Sequence, residues 1–252
     1  NRWKFLPNFS KKIFEKITLA LPQNMESKKY LKLLGTKNIK FVGNLKFFGE
    51  VKKDNTKNLI LKKKFSKRNI FCAASTHRTE ELFIGKVHKE LKSEIKNLIT
   101  IIIPRHINRK KEILDELHNI GLNSQFHTAH KKLTKDTDIY IVDTYGDSSK
   151  FYSLSKLTFL GGSLITHGGQ NPLESAREGN YILHGPHIEN FKEVYEMLKK
   201  LKITTRINSI KNMKFVVRQK INFLQRNTVN KKLKYLGDKI LNKNLYEIKK
   251  FI

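Results

Sequence analysis

Cysteine, acidic residues and long apolar runs are what this 252-residue chain has least of. Its one cysteine, Cys72, excludes an internal disulfide, a cysteine zinc cluster and a CxxC redox pair. The longest apolar run, Leu98 to Ile103, is interrupted by Thr100 and stops at Pro104. A spanning helix takes about 20 apolar residues, so no transmembrane helix is expected. The opening Asn1-Arg-Trp-Lys4 has no apolar stretch of the kind a signal peptide carries, and none is expected here. Internal repeats and low-complexity tracts are also absent. Apolar residues still make up 38% of the chain, enough for a globular core and against wholesale disorder.

Asp and Glu number 22 against 51 Lys and Arg, a formal charge of +29. That balance favours anionic partners: nucleic acid, phosphorylated sugars or an acidic membrane surface. The excess is lysine, 42 against 9 arginines, spread along the whole chain. An AT-rich coding sequence gives the same bias without any function behind it. Nucleic-acid binders lean on arginine, whose fork reads phosphate and guanine bidentately. Neither zinc-finger spacing nor an RNA-recognition motif is present, so a basic nucleic-acid-binding module is the lesser alternative and no nucleic-acid partner is expected.

The first 45 residues read as the tail of an α/β unit. Leu6 to Ile17 is helical, Thr18 to Pro22 a short strand, Met25 to Leu34 a helix stopped by Gly35, and Ile39 to Gly43 a strand. Lys46 to Ser66, rich in Lys and Asn, suits an interdomain linker. Strands then alternate with helices. Strands are expected at Ile70–Ala74, Leu98–Ile103, Asp138–Val142, Leu157–Leu160 and Tyr181–Leu183. Helices fall at Glu80–Asn97, Asn108–Ile120, Ser148–Leu154, Pro172–Glu178 and Glu189–Lys200. That alternation predicts a parallel sheet with helices on both faces. From Ser209 onward the pattern is helical and very basic.

In open parallel sheets ligands bind beyond the carboxyl ends of the strands. Here those ends carry Ala73-Ala-Ser-Thr-His77, Pro104-Arg-His106, Asp143-Thr-Tyr-Gly-Asp147, Gly161-Gly-Ser163 through Glu174, and His184-Gly-Pro-His187. Taken one at a time, each is explained by turn chemistry, and Ser75-Thr76 with Glu80 reads as a helix cap. The fourth loop holds more. Two glycine pairs, an Asn-Pro helix start and a carboxylate fall within fourteen positions, Gly161 to Glu174. Glycine admits close backbone approach, and a helix starting at Pro172 turns N–H groups toward a phosphate. Glu174 is placed to accept from two ribose hydroxyls. The constellation suits a nucleotide-sugar phosphate.

These stretches resemble the 3-deoxy-D-manno-octulosonic acid (Kdo) transferases, which attach Kdo to lipid A. The resemblance is carried by Gly43-Asn-Leu-Lys-Phe47, Ala73-Ala-Ser-Thr-His77 with Glu80-Glu81, Pro104-Arg-His106 and Asp143-Thr-Tyr-Gly146. It continues with Leu160-Gly-Gly-Ser-Leu164, Gly168-Gly-Gln-Asn-Pro-Leu-Glu174 and Gly185-Pro-His187. They follow the family's order and spacing over roughly residues 1–200, and Arg2-Trp3 also matches. The family usually has Met-Gly-Glu where Tyr145-Gly146-Asp147 stands, His at Gln170 and Gly at Thr79.

The resemblance implies a GT-B fold of two Rossmann-like domains, with the N-terminal acceptor domain mostly missing from this chain. Residues 1–48 would be the tail of that domain and the hinge, and 49–66 a linker. Residues 67–207 would be the C-terminal donor (CMP-sugar) binding domain, and 208–252 a basic helical segment. It implies inverting, metal-independent transfer of Kdo from CMP-Kdo to a lipid A precursor, with no cofactor, at the cytoplasmic face of the bacterial inner membrane. The anionic membrane surface would be a peripheral partner. The donor-binding residues would be Ser75, His77, Pro104, Arg105, His106, Gly146, Gly161, Gly162, Ser163, Asn171, Leu173 and Glu174. Lys46 and Asp147 would reach the cleft. Arg105 would counter the charge of the phosphate or of the Kdo carboxylate. No general base is evident in this chain. Glu80 and Glu81 read as helix-start residues, and the base is expected in the missing domain, leaving this half inactive alone. A UDP-sugar transferase or epimerase of the same fold is the other enzyme reading, which nucleotide preference decides.

Overall fold

The run Leu98–Pro104 is apolar at almost every position, and all seven of its residues are buried. A strand covered on one face only would alternate, so both faces of this one are packed, as in parallel sheets sandwiched by helices. The computed structural model, which describes residues 2–49, 55–129, 132–223 and 226–251, builds a sheet around it. The strands are β1 (Asn69–Thr76), β2 (Leu98–Pro104), β3 (Ser124–Phe126), β4 (Ile139–Ile141), β5 (Leu157–Leu160), β6 (Tyr181–His184) and β7 (Thr204–Arg206). Their spatial order is β3-β4-β2-β1-β5-β6-β7, and every pairing is parallel. The expected parallel α/β architecture is therefore the one observed. Two strands escaped the sequence reading: β3 and β7 are three-residue edge strands, Ser-Gln-Phe and Thr-Thr-Arg, too short and polar to register as apolar runs.

The helices are α1 (Pro7–Phe14), α2 (Met25–Leu33), α3 (Asn55–Phe65), α4 (Glu80–Leu91), α5 (Lys110–Asn119), α6 (Ser148–Leu154), α7 (Leu173–Arg177), α8 (Lys192–Lys200), α9 (Ile210–Lys220) and α10 (Arg226–Ile248). Helix α4 packs on β1, β2, α5 and α9, while α6 packs on β1, α3 and α7. Between these two helix groups Phe71, Ile99, Ile101, Ile102, Tyr140 and Phe159 lose all exposure. Residues 46–66, expected to be a linker, contain α3. Lys62 and Lys63 face water, Lys64 donates to the Tyr140 hydroxyl at 3.0 Å, and Leu61 and Phe65, spaced i,i+4, are 8% and 2% exposed. The Lys and Asn content hid that narrow apolar stripe. Helix α4 stops at Leu91, short of the expected Asn97.

The chain divides into two units, residues 51–230 and residues 1–50 with 231–252. The stretch 208–252 thus does not act as one segment: α9 packs against α4 in the larger unit, and most of α10 belongs to the smaller. In the smaller unit the two expected strands shrink to a single parallel bridge, Ala20 to Ile39. Gly43, at φ +121°, lies against Ile240 of α10, leaving no room for a side chain.

At the amino edge of the sheet one residue fixes the strand starts. The Arg68 guanidinium donates to five carbonyl oxygens, those of Asn97 (3.1 Å), Leu98 (2.9 Å), Thr134 (3.1 Å), Lys135 (3.3 Å) and Thr137 (2.6 Å). The carboxyl edge is where the chemistry-bearing side chains gather.

Candidate functional site

From β1 the chain proceeds to β2 on one side, and from β5 to β6 on the other. The gap between the carboxyl ends of β1 and β5 is therefore the switch point at which open α/β sheets bind ligands. Ser75 lies at a register shift in β1, in the left-handed region at φ +52°. The shift re-aims the chain so that the Thr76 carbonyl accepts from Arg105 N–H at 2.9 Å, tying the β1 and β2 ends together. Pro104 is the last, buried residue of β2. Arg105 and His106 follow it, both exposed. Among the described residues Arg105 forms no ion pair with a carboxylate.

His77 is 8% exposed and sits between two other imidazoles. Its ring centroid lies 4.4 Å from that of His167 and 5.7 Å from that of His106. Gln170 Nε2 lies 3.4 Å from His77 Nε2. Burial, then the neighbouring His167, His106, Arg105 and Arg109, pushes the His77 pKa down to about 4, so this ring is neutral at pH 7. His167 is a site residue the sequence reading did not select. Glycine and helix-start signals dominate its loop, and nothing in the linear order shows a ring folding back onto His77.

The glycine loop is built from within. Glu80, expected only to start a helix, has its side chain turned into the sheet edge and is 1% exposed. Its carboxylate accepts from four backbone N–H groups: His77 (2.9 Å), Gly162 (2.7 Å), Ser163 (3.1 Å) and Leu164 (2.9 Å). Burial drives its pKa up, and the four donors oppose that rise. Gly161 is where this packing is closest. A Cβ there would run into the Ser75 carbonyl and lie 2.6 Å from both Glu80 Oε2 and the Thr76 Cα. Gly161, expected with Gly162 to let the backbone approach a nucleotide, lets the β5 loop close on β1 and Glu80, while a Cβ on Gly162 would lie 3.0 Å from the His167 ring and 3.2 Å from His77 Nε2. The neighbouring carboxylate, Glu81, is fully buried and pairs with Arg109 at 3.0 Å.

Further hydrogen bonds hold the rest of the loop. Ser163 Oγ accepts from Gly185 N–H (2.8 Å), its carbonyl accepts from His187 N–H (2.9 Å), and the Gly162 carbonyl accepts from Gly169 N–H (2.8 Å). The Tyr195 hydroxyl donates to the Gln170 carbonyl at 3.1 Å. The expected helix at Pro172 is only the five-residue α7, and Leu173 N–H is taken by Asn171 Oδ1 at 3.1 Å. Leu173 is buried, whereas Asn171 and Glu174 are exposed. Beside this loop a cavity of about 560 Å3 opens at the ends of β6 and β7, lined by His184, Tyr195 and Arg206 among others.

Ser75, His77, Arg105, His106, Gly161, Gly162 and Ser163 thus share one edge. Gly146 and Asp147 follow β4, two strands away from β1. Asp147 accepts from Thr144 and pairs with Lys150. Lys46 is in the smaller unit, on the turn Leu45–Phe47. Among the described residues no group of three His, Cys, Asp or Glu side chains has the arrangement to hold a metal ion, and no helix is long and apolar enough to cross a membrane.

The parallel sheet, with its strand order reversing between β1 and β5 and helices packed on its faces, is the Rossmann-like half of a GT-B glycosyltransferase fold. The fold is similar to that of the Anabaena protein Alr3699/HepE, solved with UDP and glucose (TM-score 0.54, 9% identity, covering 98% of this chain and 67% of that one). At that identity the likeness concerns fold alone. The C-terminal CMP-Kdo binding domain of WaaA from Acinetobacter baumannii matches at TM-score 0.61 and 25% identity, over 73% of this chain and 96% of that domain. By sequence, the 3-deoxy-D-manno-octulosonic acid transferase of Rickettsia bellii is 30% identical over 208 residues, 82% of this chain and 50% of its own length. No protein-family model matches the chain. The protein is a homologue of the Kdo transferases. It spans about half the length of the curated relatives it matches.

Proposed function

We propose that this chain is the donor-binding part of a Kdo transferase and binds CMP-Kdo at the β1–β5 switch point. The observation that carries the reading is Arg105, an exposed guanidinium without a carboxylate partner among the described residues, beside a neutral His77. A guanidinium matches the geometry of a phosphate or a carboxylate, and the donor has one of each. Ser75, His77 and His106 add hydrogen bonds to these groups. Glu174, exposed in the first turn of α7, accepts from the ribose hydroxyls. Asn171 and Gly146 border the nucleotide, and Asp147 is a candidate for the rim of the site.

The transfer is an in-line attack at the anomeric carbon of Kdo by a hydroxyl of a lipid A precursor, with inversion. CMP leaves as an anion, and side-chain charge at its phosphate stabilises that departure, so the proposed reaction uses no metal and no cofactor. The attacking hydroxyl needs a base. We assign the base to the half of the relatives that this chain does not span, so the chain alone binds donor without transferring it. The acceptor places the enzyme at the cytoplasmic face of the inner membrane, where surface lysines contribute up to about 1 kcal/mol each near anionic lipid.

Calorimetric titration of CMP, with UMP as control and Glu174→Gln alongside, tests the reading. CMP should bind more tightly than UMP, and the variant should lose at least tenfold. Equal affinity for CMP and UMP, or none for either by the folded chain, would refute it.

A further inference from the structure

Three successive backbone N–H groups, those of Gly162, Ser163 and Leu164, converge on one point, and a fourth, from His77, joins them from β1. Such a nest of main-chain donors is the usual cradle for a phosphate in α/β folds. Here its occupant comes from the chain itself. The Glu80 carboxylate spends Oε2 on His77 and Gly162 and Oε1 on Ser163 and Leu164, and the side chain is 1% exposed. The missing Cβ of Gly161 makes room for it, since that atom would lie 2.6 Å from Oε2. A second anion brought to these N–H groups would have to displace a buried carboxylate.

We propose that Glu80 is a positioning residue of the donor site: its carboxylate permanently fills the N–H nest after β5, and the anionic groups of the donor are left to Arg105, His77, His106 and His167. The inference rests on the reading of this edge as a donor site and adds how the site is divided. Glu80 ties His77 N–H to the 162–164 loop. That bond fixes the strand-end loop carrying His77 against the loop that leads to His167, whose ring lies 4.4 Å away. Removing the carboxylate would both free the nest and unfasten the imidazole pair. Glutamine is not a substitute. One of its two heads is an amide N–H2, which would face two N–H donors in place of an acceptor.

Amide hydrogen exchange of the wild-type protein, read by NMR at Gly162, Ser163 and Leu164 with and without CMP, tests the division directly. The proposal expects these amides to be slow in the free protein and, at saturating CMP, to gain no more than about threefold beyond the gain of the buried β2 amides, which report the general stabilisation by ligand. Fast exchange in the free protein, or a rise in protection with CMP tenfold or more beyond that of the β2 amides, would overturn it. The companion variant is Glu80→Gln, titrated with CMP below its melting temperature and then with formate added to Glu80→Ala. A fall in CMP affinity of tenfold or more in the first, and its recovery with formate in the second, support a positioning role. A folded Glu80→Gln variant with unchanged CMP affinity refutes it. Arg105→Ala separates the two readings: if that variant binds CMP as tightly as wild type, the donor-site assignment fails whatever the exchange at 162–164 shows.

Discussion

Replacing Gly161 by alanine adds one methyl group where β1, β5 and Glu80 meet, and the outcome measures how tightly the switch point is closed. The backbone at Gly161 is outside the left-handed region, so alanine meets no torsional objection there. Its Cβ, however, would collide with the Ser75 carbonyl and lie 2.6 Å from Glu80 Oε2. Neither neighbour is the free end of a flexible chain: one is main chain, and the other is pinned by four N–H donors. Overpacking of a closed interior costs roughly 1–3 kcal/mol. Pushing Glu80 aside weakens charge-assisted bonds worth about 1.5–3 kcal/mol apiece. Together they give a loss of about 3–5 kcal/mol, or roughly 10 °C in melting temperature for a chain of this size. Gly121→Ala is the control. Gly121 has φ +79° with no atom within 4 Å of a Cβ, so alanine there bears only the left-handed backbone, about 1 kcal/mol. Thermal unfolding followed by circular dichroism compares the two. A Gly161→Ala variant that melts no lower than Gly121→Ala would refute the reasoning.

Arg68→Ala should lower stability by about 2–3 kcal/mol, since five carbonyls lose a charged donor. CMP affinity measured below its melting temperature should stay within twofold of wild type, because the change is at the opposite edge of the sheet; a tenfold loss would couple the two edges. Stability should also fall as pH drops from 6.5 toward 4. His77 stays neutral in the folded state down to about 4, whereas the unfolded chain takes up the proton from its ordinary value downward, so protons favour unfolding in that window. His77→Gln should flatten that part of the melting-temperature profile, and an unchanged slope would contradict the assignment. Below that window a second decline is expected. Asp138, held at about 2 with His88 and Lys92 against it, contributes stability present above its ordinary value of 3.8 and lost as pH falls toward 2. Asp138→Asn should remove that decline from the acid melting curve.

What the sequence made legible was the alternation of β-branched runs with helices, because a parallel sheet covered on both faces demands continuous apolar strands such as Leu98–Ile103. The strand ends were legible for the same reason, and the runs of Ser, His, Arg and Gly that follow them do share one edge. The edge strands β3 and β7 were not legible, since three residues with at most one apolar side chain, Ser-Gln-Phe and Thr-Thr-Arg, look like a turn. The reading of Glu80 failed on a different ground. A carboxylate after Ser-Thr at a helix start has an ordinary local explanation as a cap, yet Thr79 occupies the cap position at φ +77° without a side-chain bond. Glu80 bonds a loop more than eighty residues away, which no local pattern announces. At Gly161, too, the space the glycine leaves borders the protein's own carboxylate, a contact that no local pattern announces.

A CMP titration watched at the imidazole signals of the protein's nine histidines locates the nucleotide. A donor site at the β1–β5 switch point predicts that His77, His106 and His167 shift together and saturably. His88, buried against Thr100 and Asp138, and His118 at the end of α5 should stay in place. Saturable binding that leaves those three signals still while moving others would put the nucleotide elsewhere and rule out a donor site at the β1–β5 switch point.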